Sequence, residues 1–199
     1  MSWLDLIFPK KCLGCGQGGK YFCDQCRKTI KLNNQRQINA TSIFAYSGII
    51  EAAIKALKYQ FLTDIKAELN EIMAPALTGA ELTDFINLKP SVQPVPLYWR
   101  RENWRGFNQA KIIAQIVADK FQLSLSDYLI RVKETKPQAE LKRRERLKNV
   151  KGIFKIKNRP NGPVLVVDDV WSTGATLREA IKVLKKAGVK RVWGLTLAR

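Results

Sequence analysis

Two adjacent carboxylates and the loop after them are the residues best suited to chemistry. The run Val164–Val167 is apolar and largely β-branched, which is typical of a buried strand in a parallel sheet, and it ends at Asp168 and Asp169. Small and polar residues follow and lead into a predicted helix: Ser172, Thr173, Gly174, Ala175 and Thr176. Backbone N–H groups and hydroxyls in such a loop, with the positive end of a helix behind them, can bind a phosphate.

The two carboxylates are suited to bind a different part of the same ligand from the part that the loop binds. They repel phosphate, but they suit the vicinal hydroxyls of a sugar, directly or through magnesium-bound water. Together with the loop they predict a ribose 5-phosphate site. A simple helix cap would need only one such residue. A receiver domain also has a strand that ends in two acids, but that strand lies near the start of its chain, whereas only 30 residues follow Asp169 here.

Four cysteines form a second motif. Two C-x-x-C pairs, Cys12 with Cys15 and Cys23 with Cys26, are separated by seven residues. This spacing is typical of four thiolates around one zinc ion, in a structural role because no position is left for water. A redox dithiol would need only one pair, and a disulfide is unusual in the cytoplasm. The favoured interpretation is a zinc module over residues 1–36.

The charge of the chain is strongly positive. Lys and Arg total 35 against 17 Asp and Glu, a formal charge of +18, and there is no histidine. The absence of histidine excludes Ser-His-Asp and Cys-His catalysis and leaves Cys, Asp and Glu as metal ligands. Residues 131–159 hold twelve basic and three acidic residues, half of the excess. A solvated helix or loop is one explanation, and a bound polyanion is the favoured one.

Hydrophobic periodicity indicates which elements position these residues. Residues 31–41 are polar and are interpreted as a linker. Beyond them strands and helices alternate, which predicts an α/β fold with ligands at the carboxyl ends of parallel strands. Strands are predicted at 42–47, 92–97, 152–157, 164–167 and 192–197, and helices at 49–59, 64–78 with an interruption at Pro75, 108–121 and 176–187.

The segment 164–176 resembles the phosphoribosyl pyrophosphate signature of type I phosphoribosyltransferases. The chain as a whole is similar to the ComF family, competence protein F-like proteins that join an N-terminal zinc ribbon to that fold. Four segments carry the resemblance: the double C-x-x-C, residues 94–110, residues 135–154, and the signature together with residues 195–199. It implies a parallel sheet flanked by helices over residues 41–199, behind the zinc module.

The resemblance also implies roles for residues outside the signature. The loop Leu97–Gly106 would bind pyrophosphate through Arg100, Arg101, Arg105 and Gly106. A mobile loop over 135–149 would close over the site, with Gln138, Arg146 and Asn149 matching the family pattern. Mg²⁺ would accompany the phosphoribosyl ligand. Asp168 and Asp169 are the candidate catalytic residues. The family commonly has His-Pro where this chain has Tyr98 and Trp99, so a reaction step that requires this histidine is absent here.

Three functions remain open at this point. The favoured one is a cytoplasmic protein of natural transformation that has a phosphoribosyl pyrophosphate site and binds single-stranded DNA, with a competence helicase as a further partner. The second is an active phosphoribosyltransferase on an unidentified acceptor, and the third is a sensor without turnover. Trp99 and Trp104 either pack in the fold or stack on nucleobases. No run approaches the ~20 apolar residues of a membrane span.

Overall fold

The computed structural model describes residues 9–33, 35, 38–60, 62–135 and 150–199. Gln138, Arg146 and Asn149 therefore lie outside the described residues, and their role stays a prediction. None of the helices in these ranges is long and apolar enough to cross a membrane.

The centre of the fold is a four-stranded parallel sheet with the strand order β1-β6-β5-β2. Two further strands, β3 and β4, form a separate antiparallel pair. The strands are β1 (Ala40–Phe44), β2 (Ser91–Pro94), β3 (Leu129–Arg131), β4 (Phe154–Ile156), β5 (Val164–Val170) and β6 (Val192–Ala198). β5 is a central strand, so its carboxyl end opens at the middle of the sheet edge.

Helices cover both faces of this sheet. The helices in the described ranges, including the short α1 of the cysteine segment, are α1 (Asp24–Arg27), α2 (Gly48–Tyr59), α3 (Lys66–Ala76), α4 (Ala80–Asn87), α5 (Trp99–Arg105), α6 (Gln109–Phe121) and α7 (Ala175–Lys186). Leu165 and Val167 of β5 belong to a core shared with α2, α3 and α6, whereas Val164 and Val166 belong to a second core shared with α7. Successive side chains of β5 thus point to opposite faces of the sheet, and both faces are buried. This confirms the predicted α/β fold with a parallel sheet flanked by helices.

The cysteine-bearing segment packs directly on α3. Phe22 is fully buried in the core that also contains residues of α2 and α3, and its N–H donates to Oε2 of Glu68 at 2.9 Å. The Arg27 guanidinium lies 2.5 Å from Oε2 of Glu71, and the Tyr21 hydroxyl donates to Asp64 at 2.7 Å. The module and the sheet domain thus share buried residues. The boundaries 1–36 and 41–199 stay a prediction about the chain.

The segment 97–106 differs from the expected loop, because most of it is helix α5. Tyr98 is extended, and its carbonyl accepts the N–H of Glu102, while Gly106 ends the helix at φ +77°. No Gly or Pro interrupts the seven residues between them, so the segment can close a helical turn. A helix places Arg101 and Arg105 on one face, whereas a loop would leave their directions open.

Candidate functional site

A cavity of about 780 Å³ opens at the carboxyl end of β5. Asp168 and Asp169 line it, and so do cationic side chains that arrive from separate parts of the chain. The cations are Lys55 and Lys58 of α2, Arg101 and Arg105 of α5, Arg131 of β3, and Arg199. Six cations against two carboxylates make this an electropositive cavity with an acidic floor, which suits a ligand that is anionic at one end and a diol at the other.

The acidic pair is held rigidly by its own backbone. Oδ1 of Asp168 accepts the N–H of Asp169 at 2.9 Å, and Oδ1 of Asp169 accepts the N–H of Val170 at 2.8 Å. Oδ2 of Asp169 is buried and lies 2.7 Å from Nζ of Lys58. The contact is a short ion pair between a partly buried ammonium and a buried carboxylate.

Lys58 is a site residue that the sequence interpretation missed. Burial lowers its pKa, but the negative charge of Asp169 and, more weakly, that of Asp168 outweigh this effect, so the pKa is raised and the ammonium stays charged. One signal was available. Lys58 lies four residues after Ile54, next to the apolar stripe of α2, where a charged residue needs a partner.

Asp168 differs from its neighbour in having no cation in ion-pair contact among the described residues. Burial, and then the adjacent charge of Asp169, raise the pKa of Asp168 to about 7. A cation that arrives with a ligand would favour the ionised carboxylate. The oxygen available for it is Oδ2, which accepts no hydrogen bond from any residue in the described ranges.

Three arginines line the same cavity. Arg131 is 8% exposed, and burial followed by the charge of Arg101 lowers its pKa to about 10. The Arg131 guanidinium bonds to Oγ1 of Thr135, and Arg101 donates to the Thr135 carbonyl at 2.5 Å. Arg105 donates to Oε1 of Gln109 at 2.5 Å, but its Nε is buried and has no partner in the described part of the chain. A buried donor without an acceptor is what an anion would satisfy.

The loop between β5 and α7 lies beside the acidic pair. Ser172 and Thr176 line the cavity. The backbone N–H groups of Ser172, Thr173 and Gly174 donate to no acceptor among the residues that the structure describes. Gly174 precedes α7 at φ +70°, and a Cβ there would lie 2.4 Å from Cζ2 of Trp171. This close approach explains why the loop needs glycine at that position.

Replacing Gly174 with Ala should lower the free energy of unfolding by about 2–4 kcal/mol, because both the left-handed backbone and the contact with Trp171 are violated. Gly162→Ala is the matched control. Gly162 has φ +73° but nothing within 4 Å of the added Cβ, so it carries only the backbone strain, about 1 kcal/mol. Chemical denaturation followed by circular dichroism measures both. Equal losses in the two variants would contradict the steric part of this argument.

The structure separates the predicted pyrophosphate residues. Arg101 and Arg105 line the cavity with the acidic pair. Arg100 instead lies 3.8 Å from Glu134 and 5.3 Å above the Trp99 ring, on the exposed side of α5. Gly106 lines a different groove, next to Lys111. Thr173, Gly174 and Ala175 form the turn behind Ser172 and Thr176, and none of the three is part of the cavity wall.

The four cysteines come together in a separate cluster that could hold a metal ion. Their Sγ atoms all lie within 4.8 Å of one another, and all four thiols are unpaired. The Sγ atoms of Cys15 and Cys23 are 3.6 Å apart, close to the ~3.8 Å edge of a sulfur tetrahedron around zinc and far beyond a disulfide bond. A Cβ on Gly14 would lie 2.8 Å from Sγ of Cys26, so the first turn must be glycine for the sulfurs to converge.

The parallel sheet, with its acidic pair and the loop after it, defines a type I phosphoribosyltransferase fold. The four-cysteine module at its N-terminus is of the zinc-ribbon type. In agreement, the phosphoribosyl transferase domain family matches residues 108–199. The chain is 32% identical over 194 residues to Competence protein F of Haemophilus influenzae, covering 94% of this chain and 84% of the relative. The chain belongs to the ComF family.

Two further relatives are similar over shorter stretches. DNA utilization protein YhgH of Salmonella typhimurium is 30% identical over 159 residues, which are 77% of this chain and 70% of the relative. Competence protein ComFC of Bacillus subtilis is 36% identical over 109 residues, 53% of this chain and 43% of the relative. The family assignment predicted from the sequence is therefore confirmed.

Proposed function

We propose that the cavity binds phosphoribosyl pyrophosphate together with Mg²⁺, in a protein that serves DNA uptake. The observation that carries this proposal is the acidic pair at the end of β5, which lines one cavity together with Arg101, Arg105 and Arg131 and adjoins the loop into α7. The loop would hold the 5-phosphate, the carboxylates the ribose hydroxyls, and the arginines the pyrophosphate. The unpartnered Nε of Arg105 supports an anion on that wall.

The residues present also fit Mg²⁺. When bound with the ligand, the ion would neutralise pyrophosphate oxygens and contact the protein through one or two carboxylates or their waters. Oδ2 of Asp168 is the oxygen available for this contact. The cationic wall positions the pyrophosphate, and the buried acidic floor keeps the ribose oriented. Transfer to an acceptor is a separate step, and release of pyrophosphate distinguishes a transferase from a sensor.

The test is calorimetry of the full chain with phosphoribosyl pyrophosphate and Mg²⁺. We expect saturable binding of one ligand per chain, and weaker binding of ribose 5-phosphate and of pyrophosphate, since each occupies only part of the cavity. A folded protein that binds none of the three would contradict the proposal. If pyrophosphate and ribose 5-phosphate each bound as tightly as phosphoribosyl pyrophosphate, the two halves of the cavity would not act together.

We also infer that the cysteine cluster holds zinc in a structural role. Four thiolates complete a tetrahedral shell, and tetrahedral all-sulfur coordination is typical of Zn²⁺. The module has few buried side chains of its own, chiefly Cys12, Tyr21, Phe22 and Cys23. Metal binding therefore supplies a large share of its folding energy, on the order of 10 kcal/mol.

Single-stranded DNA is the second ligand that we propose. The names of the relatives refer to competence and to DNA utilization. In this chain, α5 carries two exposed tryptophans, Trp99 at 56% and Trp104 at 67%, together with three arginines. Exposed aromatic rings next to a basic side chain are suited to stacking on unpaired bases, and Arg100 on the exposed side of α5 would contact the backbone. The structure thereby favours the stacking alternative for both tryptophans over packing in the core.

Substituting both Trp99 and Trp104 with Ala should weaken binding to an oligothymidylate about tenfold or more, because each stacked base contributes about 1–3 kcal/mol. Ile38→Ala, which removes an exposed apolar side chain far from α5 in sequence, should leave the affinity unchanged. Fluorescence anisotropy at several salt concentrations measures both. Unchanged affinity in the double variant, or equal affinity of the wild type for duplex DNA, would show attraction by charge alone.

A further inference from the structure

Lys58 links the covering helix α2 to the acidic pair. It lies near the carboxyl end of α2, and its ammonium reaches Asp169 on β5, more than a hundred residues further along the chain. The side chains of the pair are 24% and 8% exposed, so neither charge is fully solvated. Removing one partner of such a pair leaves a buried charge that must find another counter-ion or take up a proton.

The four carboxylate oxygens of the acidic pair differ in their partners. One oxygen of each aspartate accepts a backbone N–H, and Oδ2 of Asp169 faces Lys58. Within the described residues, Oδ2 of Asp168 is the one oxygen of the pair that has neither a hydrogen bond nor an ion-pair contact. Two adjacent carboxylates would ordinarily attract a divalent cation. Here one of them already has a cation that belongs to the protein.

We propose that Lys58 is a positioning residue that takes the place of a divalent ion at Asp169. The ammonium neutralises Asp169, so the ligand-free protein has low affinity for Mg²⁺ at the acidic pair, and a ligand-bound ion contacts the protein through Asp168 alone. Phosphoribosyl pyrophosphate would consequently depend less on divalent metal for its binding than it would in a site with two free carboxylates. This second consequence rests on the proposed function, whereas the first does not.

The first test measures metal binding without any phosphoribosyl ligand. Mn²⁺ serves as the probe for the Mg²⁺ site, and the full chain is first saturated with zinc so that its thiols are occupied. We expect Lys58→Met to bind Mn²⁺ at least about tenfold more tightly than the wild type in an electron paramagnetic resonance titration, because the freed carboxylate needs a cation. Adding Asp169→Asn to this variant should remove the gain.

Two variants control for charge and for folding. Lys58→Arg keeps the positive charge and should bind Mn²⁺ as weakly as the wild type. Lys66→Met removes one lysine charge from α3, where Lys66 lies 3.8 Å from Asp119 and outside the cavity, and should also behave like the wild type. Equal Mn²⁺ affinity in Lys58→Met and the wild type would overturn the proposal, as would tight binding in the folded Lys58→Arg variant.

The second test compares affinities for phosphoribosyl pyrophosphate with excess Mg²⁺ and with a chelator. We divide the dissociation constant measured with the chelator by the one measured with Mg²⁺. This ratio should be at least about tenfold larger in Lys58→Met than in the wild type, because only the variant needs metal at Asp169. An unchanged ratio would overturn the second consequence. If the wild type binds no ligand under either condition, the proposed function fails, and the Mn²⁺ titration still decides the role of Lys58.

Discussion

Replacing Asp168 and Asp169 together with Asn is expected to reduce the affinity for phosphoribosyl pyrophosphate and Mg²⁺ by at least about a hundredfold. The amides keep the size of the side chains but lose both negative charges, so they bind the metal poorly and no longer hold the ribose hydroxyls as carboxylates do. They also leave Lys58 without its partner on the cavity floor. Calorimetry with the zinc-loaded chain measures the loss.

The single variants divide this effect. Asp168→Asn removes the charge with the available oxygen and should account for most of the loss, whereas Asp169→Asn exposes a buried ammonium and should also lower stability. Asp127→Asn is the matched control, since Asp127 pairs with Lys157 in another groove. If the double variant binds as tightly as the wild type, the assignment of the site to the end of β5 is wrong.

The second large effect concerns the cysteine cluster. Cys23→Ser should lower the zinc content from about one ion per chain to near zero, because three thiolates hold the ion far less tightly. Undocking of the module would expose Phe22 and break its bond to Glu68, a loss of about 3 kcal/mol, equivalent to a melting temperature lower by about 6–12 °C. Metal analysis and differential scanning calorimetry measure the two quantities.

Gln25→Ser is the control within the same module, because Gln25 is exposed and lies between Cys23 and Cys26 without taking part in the cluster. It should keep its zinc and its melting temperature. A redox dithiol predicts the opposite pattern, in which Cys23→Ser leaves the melting temperature unchanged. A metal-free wild type with the same melting temperature would also contradict the structural role.

The docking of the module on α3 has a consequence for the cavity. α2 and α3 share the core into which Phe22 packs, and α2 supplies Lys58 to the acidic pair. Loss of zinc should therefore weaken ligand binding indirectly, through α2, even though the cluster contributes no residue to the cavity wall. In this chain the shared core gives a physical basis for joining the cysteine module to the sheet domain.

Some strands and helices could be predicted from the sequence because they depend mainly on residues that are close together in the chain. The apolar run before Asp168 predicts a central strand, and the parallel pairing of β5 with β2 and β6 confirms it. The helix that begins at Gln109 has its predicted position, with Asn108 capping Ala110. The helices α4 and α5 and the strand β3 were missed, because short segments with mixed polarity have weak periodicity and depend on packing.

Contiguous patterns were enough to predict the acidic pair, the loop that follows it and the four cysteines, because the spacing within each pattern sets its geometry. Which distant cations meet that pair depends on the packing of the elements. Lys58 and Arg131 reach the cavity from α2 and β3, and of the three arginines of α5 the helical twist selects Arg101 and Arg105 while it turns Arg100 outward. Contacts between residues far apart in the chain depend on how the elements pack, and no local pattern encodes them.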